Sequence, residues 1–326
     1  MGVASMAAAG CGSAAAVTVS APRAPSIARW TPFAHLSRPL DVVAGRSDGS
    51  AVVAAAGRLY LLRASGGLSP FAPAYKRPGG EEPYIAVPAP SHAGCSYGLD
   101  TVYAIRLHAG RGVARISADG RVRRFSSITA PGLIDGIAFD ETGAFGHRLL
   151  VTINHGSTTT VDAVDCRGTV TPITRTAPRV EGGIAVAPSS FGRFAGDLIA
   201  PDETGGRIFA VTPGGRSILV ANSGLPHGGD IGVESETFVP ANPRAELLVA
   251  DRLTPGNRHP GDDVLLGISA AVLRSAGVRP FDLLVASEGG ALTDAVSCGP
   301  TRCSVRYVAT GPSRAHGEGH IGFVVR

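Results

Sequence analysis

The stretch His316-Gly317-Glu318-Gly319-His320-Ile321-Gly322-Phe323-Val324-Val325 decides how the chain is read. Four earlier stretches share its pattern of a small or acidic opening followed by a short apolar strand. They are Glu82-Pro83-Tyr84-Ile85-Ala86-Val87, Ile134-Asp135-Gly136-Ile137-Ala138-Phe139, Glu181-Gly182-Gly183-Ile184-Ala185-Val186 and Gly228-Gly229-Asp230-Ile231-Gly232-Val233. The isoleucines at 85, 137, 184, 231 and 321 are spaced by 52, 47, 47 and 90 residues. A period of about 40–50 residues marks a propeller or another repeat array. The long last step is close to two such periods, which predicts one degenerate copy.

Between these markers the chain alternates short apolar runs with turns. Ala118-Asp119-Gly120-Arg121 joins two alternating runs, and an Asp-Gly in that setting signals a β-hairpin. Pro213-Gly214-Gly215 does the same further on. The second run of each unit also repeats, as Arg148-Leu149-Leu150-Val151, Asp197-Leu198-Ile199-Ala200, Glu246-Leu247-Leu248-Val249-Ala250 and Asp282-Leu283-Leu284-Val285-Ala286. One four-stranded meander cannot bury both of its faces, but meanders stacked radially can. The fold expected is therefore all-β, a six-bladed β-propeller of four-stranded antiparallel blades, closed by the C-terminal strand. The simplest closure pairs that strand with residues 40–71. The domain division expected is a signal-like or disordered leader over residues 1–26 and a propeller over 27–326, with the β pattern becoming clear from Leu40.

Leu247-Leu248-Val249-Ala250-Asp251, Leu283-Leu284-Val285-Ala286-Ser287-Glu288 and Gly206-Arg207-Ile208-Phe209-Ala210-Val211 carry a family resemblance. The pattern resembles six-bladed propellers of the NHL, TolB-like and senescence-marker/gluconolactonase type. The gluconolactonase branch implies a divalent metal at the mouth of the central channel, held by a Glu opening one inner strand, an Asp-Gly on another and asparagines on others. Glu82-Pro83 and Asp135-Gly136 are similar to parts of that set, whereas Asn154 and Asn222 lie elsewhere in the repeat.

Composition bounds the function. Charged residues make up 17% of the 326, hydrophobics 44%, and the net charge is +4. The arginines are scattered rather than clustered with aromatics, so no nucleic-acid partner is expected. The 44 glycines and 24 prolines are spread at turn spacing rather than in low-complexity runs. Residues 1–20 carry no Lys, Arg, Asp or Glu, like the apolar and cleavage parts of a secretory signal. Ala8-Ala9-Gly10-Cys11 resembles a lipoprotein cleavage box, so a lipid anchor at Cys11 is one expectation and a cleaved signal the other. A secreted or cell-envelope location follows, with a cytoplasmic one as the alternative. The remaining cysteines suit export if Cys298 pairs with Cys303 across a Gly-Pro turn and Cys95 with Cys166. No apolar run after the leader is long enough to span a membrane. A monomer with a small-molecule or carbohydrate ligand is expected.

Inner strands of a propeller converge on one channel mouth. The openings there bring Glu82, Asp135, Glu181, Asp230 and Glu318 together as candidate metal ligands, with His320 beside them. Crowded carboxylates rise in pKa unless a cation offsets them. Oxygen-rich ligation favours Ca²⁺ or Mg²⁺ over Zn²⁺ or Mn²⁺, which the added histidine would admit. His316, Glu318 and His320 are spaced i, i+2, i+4, which in an extended strand places them on one face as a metal or general-base cluster. His320, Glu318 and His227 are the candidate proton-moving groups. The alternative for each is a hydrogen bond within the channel or its loops. Asp202, Asp251 and Glu288, at strand ends, read as turn caps rather than ligands. No nucleophile elbow or P-loop is present. The functional expectation is an exported, divalent-metal-dependent hydrolase of a small ester, lactone or phosphoester, with a non-catalytic binding propeller as the alternative.

Overall fold

A computed structural model describes residues 1–2, 26–75, 84–88, 96–107 and 110–325. Val, Ile, Leu and Ala alternate through short runs that end at Gly, Asp and Pro, and these form strands in six sheets. β1 (Ala28–Arg29) and β2 (Thr31–His35) are the outer strands of the last two blades. The first complete blade is β3 (Pro39–Val43), β4 (Ala51–Ala55), β5 (Arg58–Leu62) and β6 (Leu68–Phe71). β7 (Ile85–Ala86), β8 (Val102–Arg106), β9 (Gly112–Ile116) and β10 (Val122–Ser127) make the second. The third is β11 (Leu133–Phe139), β12 (Leu149–His155), β13 (Thr158–Val164) and β14 (Val170–Pro178). The fourth is β15 (Ala185–Val186), β16 (Leu198–Asp202), β17 (Arg207–Val211) and β18 (Ser217–Asn222).

The last two blades are interleaved. β19 (Val233–Phe238) is the inner strand of the fifth, but the chain then leaves for the sixth, laying down β20 (Ala245–Asp251) and β21 (Val264–Ser269). A short helix, α1 (Ala270–Ser275), turns it back; the Ser269 hydroxyl caps it by accepting from the Val272 amide at 3.2 Å. β22 (Leu283–Ser287), β23 (Thr293–Cys298) and β24 (Cys303–Thr310) complete the fifth blade around β19. β25 (Gly317–Val325) then returns as the inner strand of the sixth, paired with β20, while β2 closes its outer edge.

Three expectations are corrected here. The C-terminal strand closes the ring, but with β20, β21 and β2 rather than with residues 40–71, which already form a complete blade. The 90-residue step reflects this interleaving, not a degenerate copy. The β pattern also starts before Leu40. Trp30, between β1 and β2, is buried to 3% exposure and donates its indole N–H to the Thr293 hydroxyl at 2.8 Å.

The core lies between blades. Alternate residues of a strand point to opposite faces, so each middle strand feeds two gaps. Leu247 and Val249 pack against the fifth blade, and Leu248 and Ala250 against the first. Six apolar clusters result, one in each gap between neighbouring blades. The Cys298–Cys303 disulfide closes the β23–β24 hairpin as expected. Cys166 is also disulfide-bonded. Cys95, its expected partner, lies outside the described residues, as do Cys11 and nearly all of the leader. No helix among the described residues is long and apolar enough to cross a membrane.

Candidate functional site

The inner strands β3, β7, β11, β15, β19 and β25 ring a central channel. Register shows which positions correspond. Ile137 faces Val151 of the run Leu149-Leu150-Val151, and Glu236 faces Val285 of Leu283-Leu284-Val285. The marker position is therefore held by Val42, Ile85, Ile137, Ile184, Glu236 and Ile321, which line one cavity together. Ile231 is not part of this series; it lies in a turn ahead of β19.

This shift changes which acid reaches the mouth. Asp230 is exposed in the turn, at a positive φ of 62°, and its carboxylate lies near that of Glu203. Glu234, two residues before Glu236 on β19, takes the channel position instead. It is buried, and the Tyr84 hydroxyl donates to it at 2.5 Å from across the channel. Tyr84 can cross because Gly182 has no side chain: a Cβ there would stand 1.5 Å from the Tyr84 ring. Burial, and then the charges of Glu181, Glu318 and Glu288, push the Glu234 carboxyl well above the usual range.

Next to Glu234 is a compact group of Glu288, His316 and Glu318. His316 Nε2 lies 2.9 Å from Glu288 Oε1 and 3.3 Å from Glu318 Oε1. All three residues are buried, and one ligating atom from each lies within 4.8 Å of the others. Arg252 donates to Glu318 at 3.1 Å, and the His316 amide donates to Asp251 at 2.9 Å. His316 Nδ1 is buried without a hydrogen-bond partner. Burial pushes the Glu288 carboxyl up to about 8. Burial opposes a charge on His316, but its hydrogen bonds to Glu288 and Glu318 outweigh that and push it up to about 10. Burial also raises Glu203, which hydrogen-bonds with Glu288.

Of the residues expected at the mouth, the structure brings Glu318 and Glu181 near Glu234, with Arg179 3.7 Å from Glu181. Asp135 is buried in a different network, accepting from Asn154, which also donates to the Val180 carbonyl at 2.7 Å. Glu82 lies outside the described residues. His227 is exposed in the β18–β19 loop and packs on the turn at Gly206.

His316 and Glu318 share the mouth, but His320 does not join them. Leu248 pairs with Gly322 while Ala250 pairs with Glu318, so β25 carries two extra residues at this point. Gly319 sits in the bulge at φ 66°, where a Cβ would stand 2.3 Å from the Leu40 carbonyl oxygen. The bulge re-aims the next side chain. His320 Nδ1 lies 3.0 Å from Asp41, whose carboxylate also accepts from the amides of His320 and Ile85. Burial works against charge on His320, and Asp41 with the Ile137 and Ile184 carbonyls overrides it and raises its pKa. His320 is thus a strut linking several inner strands. Its ring meets Tyr84 edge-on at 5.9 Å.

Glu234 and Glu203 were not singled out from the sequence, and Glu288 was read there as a turn cap rather than a ligand. Glu288 stands at a strand end beside Asp202 and Asp251, and those two do satisfy local donors: Asp202 holds Gly205 and Arg207, and Asp251 holds His316. Nothing in the spacing separates Glu288 from them. Glu234 and Glu236 had a usable signal, since aligning the Leu-Leu-Val runs places both in the channel.

No protein-family model matches the chain, and no curated protein is detectably similar in sequence. Solved structures share the fold. This is a six-bladed propeller in the company of several others. A virginiamycin B lyase from Staphylococcus aureus is 13% identical, with a TM-score of 0.46 over 89% of this chain and 92% of that one. A gluconolactonase from Xanthomonas campestris is 16% identical, with a TM-score of 0.42 over 69% and 70%. A TolB-type protein from Agrobacterium tumefaciens is 10% identical, with a TM-score of 0.45 over 89% and 91%. These likenesses are of fold, and fold does not carry activity.

Proposed function

We propose that the upper channel mouth holds a divalent cation on Glu288, His316 and Glu318, and that the protein hydrolyses a small ester, lactone or phosphoester there. The observation that carries the reading is the convergence of one imidazole nitrogen and two carboxylate oxygens within 4.8 Å in a buried site. The donor set fits such an ion once His316 gives up the proton it shares with Glu288 and Glu318, so binding should release a proton. Its mixed N and O character suits Mn²⁺ or Zn²⁺ as well as Ca²⁺ or Mg²⁺. The neighbouring Glu203, which hydrogen-bonds with Glu288, adds a further oxygen donor. When bound, the cation supplies Lewis acidity toward a carbonyl or phosphoryl oxygen.

The chain's own groups have separable roles. Glu234, its carboxyl raised by burial and held by Tyr84, is placed as a proton donor for a leaving oxygen. Arg252, partly exposed beside Glu318, is placed to meet an anionic substrate group. The reading includes export, because disulfides at Cys298–Cys303 and at Cys166 suit an oxidising compartment.

One observation favours the non-catalytic binding propeller instead. His316 and Arg252 already supply internal cations to Glu288 and Glu318, so the group also works as a knot tying the fifth blade to the sixth. Elemental analysis of purified protein before and after chelation, followed by a panel of esters, lactones and phosphoesters, separates the two. The hydrolase reading expects bound metal, turnover that chelation abolishes, and loss of both in Glu288→Gln. Metal-free protein with no turnover leaves the binding propeller.

A further inference from the structure

Strand register sets a row of side chains across each blade. In the second blade the row Ile85, Ala104, Ala114 is wholly apolar and packs between the first two blades. The matching row of the fifth blade is Glu236, Val285, Asp294. Residues opposite one another on paired strands share a face. Val285 belongs to the cluster shared with the fourth blade, so both acids of its row face that blade too. Glu236 is 1% exposed and Asp294 3%. Neither oxygen of Glu236 has a partner at hydrogen-bond geometry. Burial holds its carboxyl well above the usual range, with the Ala185 amide opposing weakly. Burial alone pushes Asp294 up to about 6.

The charged groups around this row are engaged elsewhere. On the fourth blade Asp202 pairs with Arg207 at 2.6 Å, Arg193 lies over the Phe194 ring, and Arg216 stands by Asp197. β15 and β18 carry no charge. On the fifth blade Tyr84 holds Glu234, and Arg306 donates to the Gly277 carbonyl at 2.8 Å. On β25 Glu318 is held by Arg252 and His316, and His320 by Asp41. Glu203 and Glu288 hydrogen-bond at the top of the joint. A buried carboxylate without a partner is costly once ionised, so the two acids must stay neutral or reach water.

The fold gives them a route. Below Tyr84 and His320 the channel opens into a cavity of about 250 Å³, and β15 and β19, on the two sides of the joint, both line it. The chain passes between the two blades through residues 223–232, where Gly224, Gly228 and Asp230 take positive φ. We propose that the joint between the fourth and fifth blades is a proton-operated seam: Glu236 and Asp294 keep it closed while neutral, and their ionisation parts the two blades and widens the channel. The seam does not depend on the reading given to the upper mouth.

Both acids bind protons more tightly in the closed joint, Asp294 rising from 3.8 to about 6 and Glu236 well above 4.5. Their hold is full below 3.8 for Asp294 and below 4.5 for Glu236. It is lost as pH rises, through 6 for Asp294 and higher for Glu236. Thiol labelling of the full chain, read by peptide mass and divided by the rate in the unfolded chain, tests this. The thiol introduced by Val285→Cys lies between the two acids. It should be labelled up to about tenfold faster per pH unit for each acid that ionises. Adding Glu236→Gln, a neutral stand-in for the protonated acid, should flatten the profile above pH 6, and adding Asp294→Asn should flatten it below. The thiol introduced by Ala104→Cys in the second blade should show no such rise. Every upper acid stays in place throughout, so the differences belong to the row. Profiles unchanged by Glu236→Gln and by Asp294→Asn overturn the proposal. So does an equal rise at Ala104→Cys, which would mark opening of the whole ring.

Discussion

The two ends of the channel handle buried acid in opposite ways. At the upper mouth Glu181, Glu203, Glu234, Glu288 and Glu318 crowd together, but His316, Arg252, Arg179 and Tyr84 stand among them. At the lower end, two residues further along β19, Glu236 stands where the other blades carry Val or Ile, with no charged partner and only the Ala185 amide beside it. β19 carries Glu234 and Glu236 two residues apart, so one strand supplies an acid to each end. The difference lies in the neighbours. An acid inside a network of partners is costly to disturb, whereas a solitary acid is costly to keep. Substitutions at the two ends should therefore have opposite signs.

The largest effect is expected at His316. In chelator-treated protein, His316→Ala leaves Glu288 and Glu318 buried without their shared donor. Breaking a buried ion pair by removing one partner costs about 3–5 kcal/mol, which denaturant unfolding at neutral pH would register. A loss under about 1 kcal/mol would mean the carboxylates are not held by the imidazole.

Gly182→Ala attacks the mouth through packing. Its new Cβ collides with the Tyr84 ring, so Tyr84 must abandon Glu234. Overpacking of this kind costs about 1–3 kcal/mol. The double variant with Tyr84→Ala should cost less than the two single losses added together, because the collision is gone. Simple additivity in that cycle would contradict the crossing of Tyr84 over Gly182.

The lower end should respond in the other direction. Glu236→Ile restores the residue type that the other blades carry and removes an unsatisfied buried carboxylate, so it should stabilise by about 1–2 kcal/mol. Destabilisation by that substitution would show that Glu236 has a partner within the folded chain and would erase the contrast.

The pH dependence is a gentler test of the upper network. Glu288 rises from 4.5 to about 8 on folding, and His316 from 6.5 to about 10. Both groups bind protons more tightly in the folded state. Their contribution is therefore full below about 4.5 for Glu288 and below about 6.5 for His316. It is lost as pH rises through 8 and then 10. Chelator-treated protein should lose stability between pH 5 and 9, and Glu288→Gln should flatten the part of that fall below pH 8. A parallel fall in wild type and variant would remove Glu288 from the network.

The fold was legible because a propeller repeats its signals. The Asp119-Gly120 turn, the Leu-Leu-Val runs and the isoleucine series each recur with the blade. The interleaving of the last two blades was not legible, since β20 and β22 open with the same Leu-Leu-Val pattern and either suits either blade. At the site, Glu318 was readable from the inner-strand pattern and His316 from its spacing to it. His320 was misaligned by the Gly319 bulge, which local sequence does not announce. Asp230 was taken for Glu234 because Ile231 mimics the marker residue. Glu288 becomes a site residue only through the return of β25 beside β22, a contact between distant parts of the chain.

The claim that the upper mouth is a cation site is tested most directly by thermal melting of chelator-treated protein with Ca²⁺, Mg²⁺, Mn²⁺ or Zn²⁺ added back. A ligand that binds only the folded state stabilises by mass action, about 2.7 kcal/mol at a hundred times its Kd. The account predicts that at least one of these ions raises the melting temperature of the wild type and that neither Glu288→Gln nor Glu318→Gln responds. A wild-type melt unmoved by all four, or variants that respond as the wild type does, would contradict it.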